Sequence, residues 1–167
     1  MKHATHWMVL LALVLSSIGC ATSRPQSYDI VVSMDDAMGP TSVAVDLIAA
    51  NESLAETLAQ VPVSEYFTPG NKVREGLERH TFRFVPNDRS PRMLGRDEPV
   101  WDTWKARGAT QLFVMANLLG SFEDRPGAAD NRRLILPLAR DRWDDRTIRI
   151  VVREGFLDLV SPPKPPK

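Results

Sequence analysis

The chain reads as a mainly β protein, a two-sheet β-sandwich with a short helical insertion. Three observations carry that reading. Residues 42–49 alternate, with Val43, Val45 and Leu47 on one face and Ala44 and Asp46 on the other. A period of two marks a half-buried strand. Residues 147–152 alternate likewise near the other end, where Ile148, Ile150 and Val152 oppose Arg149, Val151 and the following Arg153. Between these segments, Leu54, Leu58 and Val61 recur at helical intervals. Strands at the front and back, with helical pieces between them, suit two packed sheets.

The elements follow in order. Residues 28–33 are rich in β-branched side chains and form a first strand. Residues 34–41 are a loop punctuated by Gly39 and Pro40. Ser53 and Glu56 have the spacing of a capping box for the first helix, which Pro62 ends. Residues 63–67 fit either element type, and 68–70 are a turn. Asn71 caps a second helical piece carrying Val73 and Leu77. Residues 81–85 alternate again with Phe82 and Phe84 inward, and 86–97 are a polar loop with two prolines and a glycine.

A helix is predicted over 98–107, with Pro99 in its first turn and Gly108 beyond its end. Residues 111–119 form the most apolar stretch after the opening segment and read as a central strand. A charged loop, 120–131, leads to strands at 134–136, 147–152 and 156–160. The proline-rich 161–167 lacks the N–H groups to join a sheet and reads as an extended tail.

Composition narrows the function classes. The 167 residues carry 21 basic and 21 acidic side chains, so there is no basic excess for binding nucleic acid. A hydrophobic share of 43% is enough for one packed core. The single cysteine, Cys20, excludes an intrachain disulfide and a thiolate-built metal site.

The opening residues carry an address. Lys2 precedes an uncharged apolar run at 7–15, and small residues lead to Gly19 and Cys20. These are the parts of a secretory signal. The run is too short for a membrane span, which needs roughly 20 apolar residues. Gly19-Cys20, preceded by Ile18, resembles the lipobox of bacterial lipoproteins, with Ser17 where leucine is usual. The resemblance implies that Cys20 is lipidated and holds the chain on a membrane. Residues 1–19 are then a signal peptide, 20–27 a lipidated tether, 28–160 the sandwich domain and 161–167 the tail. Ala21 stands where aspartate would signal inner-membrane retention, which implies the outer membrane, with the domain facing the periplasm.

Catalytic chemistry has little support. His80 is the only histidine after the signal, and no Gly-x-Ser-x-Gly elbow is present. The pairs Asp35-Asp36 and Asp144-Asp145 lack the spacing of a calcium loop and read as turn residues. The reading is therefore non-enzymatic, with no catalytic residue, metal or cofactor. Trp101 and Trp104, three apart, share one helix face and seal it onto the sheet. Their alternative role is to hold a small ligand or cell-wall component with the arginines of 86–97.

The anchor, the short tether, strand–acidic loop–strand over 28–50, and the closing strands over 109–119 and 134–160 together resemble the TssJ-type lipoproteins of type VI secretion systems. The resemblance implies a non-catalytic component tethering an envelope machine to the outer membrane. It also implies that the 34–41 loop contacts the periplasmic domain of an inner-membrane partner, TssM. The contacting candidates on that loop are Met34, Asp35, Asp36 and Met38; the alternative is that the methionines fold back over the sandwich edge and the aspartates only solubilise a turn.

Overall fold

The computed structural model describes residues 25–165. The proposed signal peptide, Cys20 and the start of the tether lie outside the described residues. Eight strands form two sheets among the described residues. They are β1 (Asp29–Met34), β2 (Val43–Ala50), β3 (His80–Phe84), β4 (Arg92–Leu94), β5 (Gln111–Asn117), β6 (Arg133–Pro137), β7 (Thr147–Arg153) and β8 (Phe156–Leu159). One sheet has the order β4-β1-β7-β8 and the other β3-β2-β5-β6. All neighbours are antiparallel except β1 and β7, which run parallel with Asp29 opposite Thr147 and Met34 opposite Val152.

The predicted alternation decides what lies between the sheets. Ile30, Val32 and Met34 of β1 and Ile148, Ile150 and Val152 of β7 face Val43, Val45 and Leu47 of β2 and Leu112, Val114 and Ala116 of β5. Phe82 and Phe84 point inward as expected. The half-buried reading of 42–49 needs correction, because β2 is buried on both faces. Its outer face, with that of β5, lies beneath α1 (Glu52–Gln60), α2 (Val63–Tyr66) and α3 (Lys72–Glu75). Ile48, Phe113 and Met115 of the sheet meet Leu58, Val63 and Tyr66 of these helices in a second core. The undecided stretch 63–67 is thus largely helical.

Two local readings also change. The first helix is capped by Asn51, whose side chain accepts from Leu54 N at 3.0 Å, and Ser53 lies inside the first turn. Asparagine is as good a cap as serine and stands where the backbone is still extended. The expected 86–97 loop contains β4, which pairs with β1 because Leu94 turns into the core while Met93 faces out. Asn71 caps α3 as read, accepting from Arg74 N at 2.9 Å.

The strand directions separate two ends of the sandwich. At one end, Gln26 N donates to Leu138 O at 3.0 Å, and α4 (Val100–Ala106) closes the core. Gly108, at φ 73°, takes the left-handed conformation that lets the chain turn from α4 into β5. The tail is clipped there too, with Lys164 N donating to Arg142 O and Arg142 Nε to Lys164 O, both at 2.7 Å. The opposite end gathers the β1–β2 loop, the β3–β4 and β5–β6 connections and the β7–β8 turn. A strand rises roughly 3.3 Å per residue, so about 20 Å of β1 separates the two ends.

Candidate docking surface

The loop end is built by continuation of β1. Asp35 N donates to Val152 O at 2.9 Å, adding one rung to the ladder, and Met38 N donates to Asp35 O at 3.1 Å to close a turn. Asp35 Oδ1 accepts from Ala37 N at 2.9 Å, the local bond that aspartate favours in turns. The other carboxylate oxygen pairs with Arg153 of β7, whose Nε reaches Asp158 of β8 at 2.9 Å. Donation to the Asp158 carboxylate, with the charge of Asp35 adding to it, raises the Arg153 pKa. From the neighbouring connection, Arg89 donates to Asp35 O at 2.5 Å. The loop is thereby tied to β7 and to the β3–β4 connection.

The four contact candidates divide. Asp36 is exposed and Asp35 is half-buried within its ion pair. Met34 and Met38 are only 8% and 7% exposed and belong to the central core. This corrects the expectation that both methionines offer contact surface. The alternation of β1 carries Met34 inward behind Ile30 and Val32, and the Asp35–Met38 turn folds Met38 back over the open edge. Met38 still lines a cavity of about 220 Å³ between Ala37, Gly39, Leu118, Leu119 and Gly155.

Leu119 was not among the candidates, yet it is the most exposed large apolar side chain described, at 71%. Its signal was present in the sequence. Leu118 and Leu119 are adjacent at a strand end, where consecutive side chains point to opposite faces, and Leu118 takes the inside. Val85 and Phe156 add exposed apolar surface at the same end.

A second set of residues missed by the sequence reading locks the insertion in place. Asp46, fully buried, accepts from Tyr66 Oη at 2.9 Å, Arg74 Nε at 2.8 Å and Thr81 Oγ1 at 2.7 Å. Arg79 Nε stands 3.3 Å away as an ion-pair contact without hydrogen-bond geometry. Burial, reinforced by Asp46, pushes the Tyr66 hydroxyl well above its usual pKa. Arg133, 1% exposed, donates to Ala59 O and Gly127 O and to the carbonyl of Val61, satisfying the end of α1. Arg132 joins Asp124 and Asp130, and Asp124 accepts from Ser64 N at 2.9 Å. The β5–β6 connection is thus fastened to the insertion.

The remaining candidates are structural. Trp101 and Trp104 are each 1% exposed, edge to face at 5.0 Å, with their N–H groups on Gly95 O and Glu78 O. That overturns the alternative in which they hold a ligand with the 86–97 arginines. His80 packs edge-on against Phe82, and burial lowers its pKa against the opposing charge of Glu98. Asp144 pairs with Lys164 of the tail at 2.6 Å. Among the described residues, no three acidic, histidine or cysteine side chains gather as a metal site.

No protein-family model matches the chain, and no curated protein sequence matches it significantly. Solved structures do. Serratia marcescens Lip, a membrane-bound component of the type VI secretion system, superposes with a TM-score of 0.53 at 17% identity, over 82% of this chain and 98% of its own. The chain shares the sandwich fold of Lip. A structure described as the type VI secretion protein TssM C-terminal domain from EAEC matches with a TM-score of 0.52 at 18% identity, over 81% of this chain and 99% of that one. The type VI lipoprotein TssJ1 from Pseudomonas aeruginosa is a looser match, at a TM-score of 0.46 and 17% identity over 84% of this chain and 99% of its own. The resemblance to TssJ-type lipoproteins seen in the sequence is matched in the fold.

Proposed function

We propose that the chain is a non-catalytic envelope lipoprotein of a type VI-like secretion machine. Lipid on Cys20 holds it to the outer membrane, and the loop end docks the periplasmic domain of an inner-membrane partner of the TssM kind. The observation that carries this reading is the opposition of the two ends. Pro25, five residues beyond Cys20, bridges Ala139 at one end of the sandwich, while Asp36 and its neighbours stand at the other. An anchor at the first end directs the second away from the membrane. The likeness to Lip supports the same assignment.

Asp36 and Leu119 would supply the contact, with Asp35 and Met34 holding the loop from behind. Ordered loops on a rigid scaffold bind with little entropy lost on association. The test pairs two measurements. Labelled fatty acid should enter the wild-type chain and not Cys20→Ser, and the exported Cys20→Ser protein should bind the periplasmic domain of a TssM-type protein from the same organism. Unchanged acylation would remove the anchor, and absence of binding would remove the docking role.

A further inference from the structure

The β1–β2 loop is only one wall of the loop end. Its other walls are the start of the β5–β6 connection and the β7–β8 turn, and together they bound the 220 Å³ cavity. The floor is apolar, made by Met38, Leu118 and Ala37, and Leu119 stands up at its rim. Gly155, at φ 107°, turns the chain sharply here.

The charges at the rim have one sign. Glu154 is the only charged residue among those lining the cavity, and exposed Asp36 adjoins Ala37. Of the cations bonded to the loop, Arg153 is paired with Asp35 and Asp158, and Arg89 donates to Asp35 O, so carboxylates outnumber cations here. An acidic occupant would be repelled, and a wholly apolar one would leave the carboxylates against a dry surface.

We infer that this cavity is a specificity pocket, receiving one apolar side chain of the partner with an adjacent lysine or arginine set against Glu154 and Asp36. The inference rests on the docking role proposed above and names the residues that select the partner. Leu119 packs against the entering side chain, and Glu154 pairs with its basic neighbour. A few residues buried in well-packed, desolvated pockets near the centre of an interface carry most of its affinity.

The probe is the purified periplasmic domain of a TssM-type protein from the same organism. It is titrated against the exported Cys20→Ser protein by calorimetry at low and moderate salt. Leu119→Asp should weaken binding by about 10-fold or more. Glu154→Lys should weaken it by about 5-fold and flatten its salt dependence. Met93→Asp, nearly as exposed but on the sheet face away from the pocket, should bind as wild type. Undiminished binding by both pocket variants would overturn the pocket, and would leave the docking role intact provided Asp36→Lys still loses affinity. Failure of the wild type to bind would overturn both. A wild-type dimer that Leu119→Asp dissolves would make a second copy the occupant and refute the basic partner segment. Should Leu119→Asp unfold, Glu154→Lys decides alone.

Discussion

Replacing Asp46 by alanine should loosen the helical insertion from the sheet. The side chain is fully buried and is the shared acceptor of Tyr66, Arg74 and Thr81, with Arg79 3.3 Å away. Its removal strands two guanidinium groups and two hydroxyls. Breaking a buried ion pair costs about 3–5 kcal/mol. The side chains of Arg74 and Arg79 are 23% and 25% exposed, so water can partly take over. That argues for the low end, about 3 kcal/mol. For a domain of this size the loss corresponds to a fall in Tm of roughly 6–12 °C. Tyr66→Phe, which removes one hydrogen bond and leaves the charges paired, should cost only about 1 kcal/mol. Thermal unfolding of the exported Cys20→Ser background, followed by circular dichroism, measures both. An Asp46→Ala protein that melts within about 2 °C of the background would refute the claim that this carboxylate fastens the insertion.

Two further outcomes follow from burial and charge. Met38→Ser should destabilise the fold by about 1–3 kcal/mol in chemical unfolding, because it opens a gap in the core and buries a hydroxyl; near-native stability would return Met38 to the contact surface. Acid should weaken the domain through Asp124 and Asp130. Burial pushes both carboxyls up, but hydrogen bonds, from Ser64 and Arg132 to Asp124 and from Arg132 to Asp130, hold them below the usual carboxylate range. A depressed folded pKa gives stability that is present above the unfolded value of about 3.9 and lost as pH falls through the folded one. Tm should therefore hold between about pH 5 and 8 and drop below about pH 4, with a shallower drop in Asp130→Asn.

Much of the architecture was legible in the residues themselves. Alternation in 42–49, 81–85 and 147–152 states which side chains turn inward, since a strand has only two faces and apolar groups leave water. Asn71 and Gly108 mark helix ends by chemistry that acts within a few residues. The opening segment and Cys20 read as an export and lipidation signal, an expectation that rests on sequence alone. Other features needed partners distant in sequence. Asp46 looked like the solvent side of a half-buried strand until the insertion was folded over it, bringing Arg74 from 28 residues away to its carboxylate. The three-residue β4 has too little pattern to announce itself, and exists because β1 offers it an edge.

The loop end shows the same division most clearly. The sequence by itself determined that an acidic loop with two methionines joins the first two strands. Only the tertiary structure decided that Met34 and Met38 enter the core, leaving Asp36 outside, and that Leu119 and Glu154, more than 75 residues further on, stand beside it. The reason is physical. Periodicity records which way a side chain leaves its own strand, whereas a surface is assembled from loops that several strands bring to one end.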